Sequence, residues 1–210
     1  GTPALSQADE ANLQERAPVD RIVVTARKRE EDLQDTPLAI TALSGAELEA
    51  RGALNLTDIA GYAPNVDISS SPSGGGGGAN SQITIRGVGQ SDFLLTTDPG
   101  VGVYVDGVYF ARSTGGVLDL VGLARAEILR GPQGTLFGRN TIGGAINLVS
   151  ERPGGDGSGF AEIAIGEFDR VDLRAGFDGT IIDNVLTFGV SGLSRNADGY
   201  ATRLITGEDL

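Results

Sequence analysis

The residues of this chain that could do chemistry are almost all charged ones. It contains 28 Asp and Glu and 16 Lys and Arg, but no His, Cys or Met. Thiol nucleophiles, imidazole bases and nearly every zinc or copper site are therefore excluded, and only carboxylate and carbonyl oxygens remain to bind a hard cation. The carboxylates form no paired motif, and no nucleophile has an activating neighbour. We therefore expect no enzyme activity, no cofactor and no metal site.

The glycine-rich stretch Gly131–Gly138 is the second candidate, because glycine loops can present backbone amides to phosphate. The P-loop pattern needs a Lys after its last Gly, whereas here Arg139 follows with the wrong spacing. The G-V-G at 87–89 lacks the third glycine of a dinucleotide-binding fingerprint. We interpret these glycines as positions of tight turns or close strand approach, not as a nucleotide site.

Length and composition narrow the class further. The 210 residues suffice for one large domain, and 33 Gly with 5% aromatic residues are typical of a turn-rich chain, not of a helical bundle. The net charge of −12 would repel a phosphate backbone, so nucleic acid is not an expected partner. Since there is no run of 18 apolar residues and no Met, we expect a processed, exported chain without a spanning helix.

Short elements must position any site in the first part of the chain. Residues 1–20 are polar and aperiodic, which indicates a flexible tail. Ile22–Ala26 is a β-branched run that, on local evidence alone, favours an ordinary edge strand. Residues 38–43 predict another strand, and Ser44 with Glu47 forms a capping-box pattern that begins a helix.

The following region changes from helical to β signals. A second helix is predicted from near Thr57 to just before Pro64, and residues 69–81, with five consecutive glycines, predict a flexible loop. Asp106-Gly107 predicts a tight hairpin. Further strands are predicted at 82–86, 101–105, 108–111, 126–129 and 145–149. We interpret this part as a small mixed α/β unit that ends near Pro153.

From Gly157 onward the pattern is alternation with a period of two. Apolar residues at Val171, Leu173, Ala175 and Phe177 alternate with polar residues or glycine. Residues 186–190 alternate in the same way, and residues 161–165 less strictly. Two interpretations remain open on this pattern: one side of a soluble antiparallel sheet, or strands of a membrane barrel with lipid outside and a lumen inside.

The order of motifs resembles one family. QITIRGVGQ, VYVDGVYF and ARAEILRGPQGTLFGRNTIGGAINLVSERP lie between the β-branched run and the alternating strands. Together they resemble the N-terminal part of a TonB-dependent outer-membrane receptor, from about Arg21 to Leu210. The resemblance implies an α+β fold, in which a small mixed plug domain precedes the first antiparallel strands of a 22-stranded transmembrane β-barrel. It divides the chain into a tail (1–20), the TonB box and linker (21–35), the plug (36–153) and the first, truncated barrel strands (157–210).

The resemblance also implies a function. The chain would be the plug-bearing part of a receptor that binds a siderophore or other scarce nutrient externally and imports it with energy from TonB, which acts with ExbB and ExbD. The receptor would lie in the outer membrane of a Gram-negative bacterium, its barrel in lipid and its N-terminus in the periplasm. With 21 residues before Ile22, we expect import rather than sigma-factor signalling. A stand-alone periplasmic plug-like binding module is the alternative, and the alternation after Gly157 argues against it.

Two groups of site residues follow from the resemblance. The TonB box corresponds to Ile22, Val23, Val24, Thr25 and Ala26, and an extended β-branched segment of this kind can add as a strand to a partner sheet. Arg86 in ITIRG and Arg130 in EILRGP resemble the plug arginines that family members pair with barrel glutamates. Glu127 is a candidate third member, or else a solvated strand residue. Since buried guanidinium groups must be paired, we expect a reversible latch between plug and barrel.

Substrate contacts are expected on three plug loops, 69–81, 89–99 and 108–116, which point outward by resemblance. The side chains there that can hydrogen-bond, stack or pair with a ligand are Gln90, Asp92, Phe93, Tyr109, Phe110 and Arg112. The alternative is that each of them only caps its own loop. Without His, Cys or Met this part of the chain would not bind bare iron or copper, whereas a chelated metal, a glycan, an aromatic acid or a corrin remains open.

Overall fold

The structure is a computed structural model that describes residues 22–25, 29, 31–53, 55–71, 80–90, 98–110, 122–183 and 185–196. The predicted tail 1–20, Ala26 of the predicted box and the last part of the predicted barrel segment lie outside these residues.

The described residues form short strands and three brief α-helices. The strands are β1 (Val23–Val24), β2 (Glu31–Asp32), β3 (Ile40–Ser44), β4 (Val66–Ser71), β5 (Asn80–Ile85), β6 (Val88–Gly89), β7 (Val101–Val105), β8 (Val108–Phe110), β9 (Leu123–Arg130), β10 (Gly144–Ser150), β11 (Gly159–Ile165), β12 (Val171–Ile182) and β13 (Leu186–Asn196). The helices are α1 (Gly45–Ala50), α2 (Leu56–Ile59) and α3 (Gly134–Phe137), with 3-10 turns at Leu33–Asp35 and Ala60–Tyr62.

Five strands form a mixed sheet, here called the central sheet, in the order β3-β9-β10-β7-β8. β9 runs antiparallel to β3 and β10, whereas β10 runs parallel to β7. Asp106 and Gly107 join β7 to β8 with φ angles of 49° and 81°, the left-handed values that a two-residue hairpin turn requires. The predicted hairpin is therefore confirmed.

Both faces of the central sheet are covered. On one face Ile128 and Ile146 pack with Leu56 of α2 and with the neighbouring strands β4 and β5. On the opposite face Leu129 packs in a second cluster that includes Val24 of β1. Full burial of each large apolar side chain stabilises the fold by about 1.5–3 kcal/mol, so these two clusters hold the central sheet in place.

Side-chain caps fix the starts of α1 and α2. The Glu47 N–H donates to Ser44 Oγ at 3.2 Å and the Ser44 N–H donates to Glu47 Oε2 at 3.0 Å, which confirms the predicted capping box. This backbone hydrogen bond from Ser44 lowers the pKa of the Glu47 carboxyl, although desolvation opposes the shift. Asn55 and Asp58 form a second capping box that starts α2, and the chain then tightens into a 3-10 turn before Pro64.

The predicted loop at 69–81 is wrong at both of its ends. β4 continues to Ser71 and β5 begins at Asn80, so that Ser69 pairs with Gln82 and Ser71 with Asn80. Antiparallel pairing satisfies the backbone of these polar residues whatever their side chains, which is why composition alone misplaced the boundary. The glycines of the predicted loop lie in 72–79, outside the described residues.

β11, β12 and β13 form a separate antiparallel sheet, here called the C-terminal sheet. Its large apolar side chains, among them Ile163 and Phe177, are exposed, whereas Asp172 and Arg174 of β12 are 4% and 9% exposed. β12 therefore buries charged side chains, while the sheet as a whole presents apolar ones. No helix among the described residues is long and apolar enough to cross a membrane.

Candidate functional site

The β-branched strand β1 lies against the central sheet. Val23 and Val24 pair antiparallel with Asp32 and Glu31 of β2, and the Leu33 N–H donates to the Ile22 carbonyl at 3.0 Å. The Val24 side chain is 1% exposed. The sequence predicted an extended segment on a mobile tail, whereas in the structure this strand is docked on the unit that follows it.

A buried carboxylate receives the end of this segment. Glu127 on β9 is fully buried, and its Oε1 accepts a hydrogen bond from the Thr25 backbone N–H at 2.7 Å and from the Thr25 hydroxyl at 3.1 Å. The Arg125 Nε donates to the same oxygen at 2.7 Å, and Asn147 Nδ2 donates to Glu127 Oε2 at 3.2 Å. A buried charge is tolerated only when it is paired and hydrogen-bonded, and Arg125 supplies the opposite charge here.

Thr25 is held from both sides of this cluster. Besides Glu127, its hydroxyl oxygen accepts from Arg125 Nη2 at 3.1 Å and lies 3.3 Å from Asn147 Nδ2. Neither Arg125 nor Asn147 was predicted from the sequence. Each had a signal in the sequence. Arg125 is two residues from Glu127, which puts both side chains on the same face of β9. Asn147 is a lone amide in the apolar run of β10, and the structure pairs it directly with Glu127.

The structure separates Glu127 from Arg86 and Arg130, with which it was grouped. Side chains alternate along β9, so Glu127 and Arg130, three positions apart, point to opposite faces of the central sheet. The alternative of a solvated strand residue is also wrong, because Glu127 has no exposed surface. Its carboxylate forms an ion pair with Arg125 of the same strand, in which Arg125 Nε lies 2.7 Å from Glu127 Oε1.

Arg86 and Arg130 converge on one turn. The Arg86 N–H donates to the Asn65 carbonyl at 2.9 Å, and Arg130 Nη1 lies 3.5 Å from the Pro64 carbonyl. Arg86 has a left-handed φ of 53°, and a side chain built at Gly131 would lie 3.6 Å from Arg86 Nη1. Among the described residues, Arg130 Nε is buried without a hydrogen-bond partner. Both arginines thus lie at the 64–65 turn, and Arg130 is on the face of β9 opposite Glu127.

The predicted substrate contacts divide into three kinds. Tyr109 accepts a hydrogen bond from Asn140 Nδ2 at 2.9 Å and its ring lies 5.3 Å from that of Tyr104, so it takes part in packing. Gln90 is half-buried and Phe110 is exposed at the end of β8. Asp92, Phe93 and Arg112 lie outside the described residues.

Tyr104, Tyr109 and Phe137 form an aromatic group that packs in the same cluster as Val24 of β1. The Tyr104 hydroxyl donates to the Phe137 carbonyl at 2.6 Å, and the two rings meet edge to face with centroids 5.0 Å apart. Desolvation by burial, with the nearby Tyr109 hydroxyl, raises the pKa of Tyr104. A cavity of about 750 Å³ opens next to this group and is lined by Thr25, Arg29, Tyr104, Asp106, Gly107, Phe137, Asn147, Val149, Ser150, Glu151, Arg152 and Pro153. In the described part of the chain, no cluster of three or more acidic side chains is arranged to hold a metal ion.

The arrangement holds β1 by few backbone hydrogen bonds, which another strand could replace. β1 pairs with β2 over two residues, and the next backbone N–H, that of Thr25, is taken by a side chain instead of a strand. A partner that offers a longer sheet edge can replace both sets of hydrogen bonds with a continuous ladder.

Known proteins match the chain over most of its length. The family model described as TonB-dependent Receptor Plug Domain matches residues 32–145. The pesticin receptor of Yersinia pestis is 31% identical over 209 residues, which make up 99% of this chain and 29% of that protein. The vitamin B12 transporter BtuB of Vibrio vulnificus is 30% identical over 135 residues, 62% of this chain and 20% of that protein. These relatives are receptors or transporters, and the chain spans less than a third of their length.

A solved structure matches the fold as well. The ferric yersiniabactin uptake receptor FyuA of Yersinia pestis superposes with a TM-score of 0.69 at 31% identity, over 82% of this chain and 26% of that one. The comparison confirms the expected fold, a mixed helix and strand plug followed by barrel strands, with the barrel not closed by this chain. It also decides the open interpretation of the C-terminal alternation in favour of barrel strands. The chain belongs to the TonB-dependent receptors of the Gram-negative outer membrane, and it carries their plug domain and first barrel strands.

Proposed function

We propose that this chain is the plug-bearing part of a receptor that binds a siderophore or similar scarce nutrient at the external side and imports it with energy delivered by TonB. The family assignment and the names of the similar proteins support a chelate or corrin as substrate class. The chain acts in this proposal as a binding and gating part of a transporter, not as an enzyme.

The observation that carries the proposal is the docking of β1. A β-branched strand is attached to the plug by a two-residue ladder, by the Thr25–Glu127 contacts and by the burial of Val24, and a partner strand could replace the ladder and the Thr25–Glu127 hydrogen bonds. Strand addition to TonB would use the same backbone groups of residues 22–26, because such recognition works through main-chain hydrogen bonds. TonB, with ExbB and ExbD, is accordingly the proposed periplasmic partner of this segment.

The remaining site residues have roles consistent with this topology. The plug would occupy the barrel lumen, with the N-terminus in the periplasm and the apolar side chains of the C-terminal sheet in lipid. Arg86 and Arg130 would pair with glutamates of the barrel in the full receptor, and the buried, unpartnered Arg130 Nε supports a further acceptor at that position. On the external side, Gln90, Asp92, Phe93, Phe110 and Arg112 would contact substrate.

Val24→Pro in the full-length receptor tests the proposal. Proline removes the backbone N–H that a β-ladder needs, so uptake should be abolished while substrate binding is retained. Uptake is measured in cells with a panel of labelled ferric siderophores and cobalamin, with and without TonB. Val24→Ala is the matched control, because it also trims the buried side chain but keeps the N–H, and it should import normally.

Two outcomes would contradict the proposal. Receptor-dependent uptake that persists in cells lacking TonB would exclude TonB as the energy source. Normal uptake by the Val24→Pro receptor would place the partner segment elsewhere in the chain.

A further inference from the structure

The second end of the plug, where it continues into the barrel, is attached in a different way. Residues 151–158 connect β10 to β11, and Pro153 and Gly155 of this connection lie against β13 and β12. A Cβ built at Gly189 of β13 would lie 2.9 Å from Pro153 Cγ, which places the start of the connection directly on that strand. The connection therefore runs along the C-terminal sheet instead of spanning open space.

One carboxylate holds this connection at two points. Asp178 Oδ2 on β12 accepts from the Gly155 N–H at 2.9 Å, and its Oδ1 accepts from the Ser158 hydroxyl at 2.7 Å. The Asp178 N–H in turn donates to the Ser158 carbonyl at 2.9 Å. Hydrogen bonds to an ionised carboxylate are stronger than neutral ones, and here both carboxylate oxygens are used.

A hydroxyl and a glycine complete the attachment. Thr180, two residues along β12 on the same face, donates its hydroxyl to the Gly155 carbonyl at 2.7 Å. Gly155 has a φ of +79°, and a Cβ built there would collide with Thr180 Oγ1 and lie 2.6 Å from Thr187 Cγ2. Only glycine allows both this backbone conformation and this close approach.

The two ends of the plug thus differ in how their backbone is held. At β1, the ladder is two residues long and belongs to the plug itself. At Gly155, the N–H and the carbonyl are both bonded to side chains of β12, 23 and 25 residues away in sequence. The second attachment joins the plug to the barrel wall and not to another part of the plug.

We propose that Asp178, with Thr180, is an anchor that fixes the C-terminal end of the plug to the first barrel hairpin, so that this end stays in place when the rest of the plug is displaced. The anchor goes beyond the proposed function, because it is a property of the connection and holds whatever partner moves the plug. At the β1 end a partner strand can replace the hydrogen bonds, whereas at the Gly155 end the backbone stays bonded to β12.

Hydrogen exchange in the intact full-length receptor tests the anchor. Asp178→Asn replaces one acceptor oxygen with an N–H₂ group that faces the Gly155 N–H or the Ser158 hydroxyl, so amide exchange in 153–158 should accelerate about tenfold or more. Asp169→Asn removes the same charge from the β11–β12 turn and should leave that segment unchanged. If Asp178→Asn impairs barrel assembly, Thr180→Val removes only the hydroxyl and should accelerate the Gly155 segment as well. Unchanged exchange at 153–158 in both variants would overturn the proposal.

A disulfide tests whether this end is static during transport. A Cβ built at Gly189 lies 3.5 Å from Pro153 Cβ, within the range that a disulfide spans, and the chain contains no cysteine of its own. The receptor with Pro153→Cys and Gly189→Cys, which keeps Gly155, Asp178 and Thr180, should import the same panel of ferric siderophores and cobalamin equally well oxidised and reduced. Import that is lost on oxidation and restored by reductant would overturn the anchor. Absence of import in the wild type would instead count against the proposed function.

Discussion

The central sheet buries mainly apolar side chains, whereas β12 of the C-terminal sheet buries charged side chains and exposes apolar ones. In the central sheet Ile146 is fully buried, whereas Ile163 of the C-terminal sheet is 67% exposed although both lie in the middle of strands. Conversely, Asp172 and Arg174 are buried in the C-terminal sheet. The central sheet, covered on both faces, thus excludes water from two apolar clusters, whereas the alternation along β12 is that of a barrel strand with lipid outside and a polar interior.

The largest expected effect distinguishes the two isoleucines. Ile146→Ala leaves a cavity in a closed core and should lower the free energy of unfolding of the plug by about 2–5 kcal/mol. Ile163→Ala, the matched variant, leaves no enclosed cavity and should cost about 1 kcal/mol or less. Protection of central-sheet amides against hydrogen exchange in the full receptor is the measurement. Equal losses from the two substitutions would remove the distinction between the sheets.

A charge on the outward face should have the next largest effect. Phe177, near the middle of β12, is 52% exposed and points away from Asp172 and Arg174. Phe177→Arg would place a guanidinium in the hydrocarbon and should destabilise the folded receptor in lipid vesicles by about 2–4 kcal/mol, measured by urea titration. Phe177→Leu is the control and should be nearly neutral. An equally small cost for Arg would show that this face does not contact lipid.

The smallest effect concerns the capping box of α1, whose residues Ser44 and Glu47 are half-buried. Ser44→Ala removes the N-cap and should cost about 1 kcal/mol, whereas Ser69→Ala, on β4 and outside any cap, should be neutral. Because the folded-state pKa of Glu47 is lowered, its contribution is present above the ordinary pKa of Glu and is lost as the pH falls through the lowered value. The difference between wild type and Ser44→Ala in urea unfolding should therefore shrink at acidic pH. A difference independent of pH would exclude Glu47 from the cap.

Local features of this fold were predictable and long-range ones were not. The Ser44 cap and the Asp106-Gly107 turn are determined by residues within four positions of one another, and the sequence predicted both. The pairing of Thr25 with Glu127 joins residues 102 positions apart, so no local pattern indicates it. Alternation predicted the strands of the C-terminal sheet but not their outward face, because a period of two is the same for either orientation.

The same limit applies to the candidate site. The sequence predicted a β segment at Ile22–Ala26, and β1 lies within it. The docking of β1 depends on a surface that exists only once β9 and β10 have paired. Glu127 was grouped with Arg130 in the sequence analysis, but the structure places the two on opposite faces of β9. The alternation of side chains along a strand is by itself sufficient to separate them, since positions three apart lie on opposite faces.

The long sequence separation between Thr25 and Glu127 has a consequence for assembly. The polar cluster around Glu127 needs Arg125 on β9 and Asn147 on β10, so it cannot form until residues far along the chain are in place. An incompletely folded plug consequently leaves its N-terminal strand uncovered, and a completed one conceals it. The docked state of β1, with Val24 buried, is thus tied to completion of the central sheet, so accessibility of this strand reports whether the plug has finished folding.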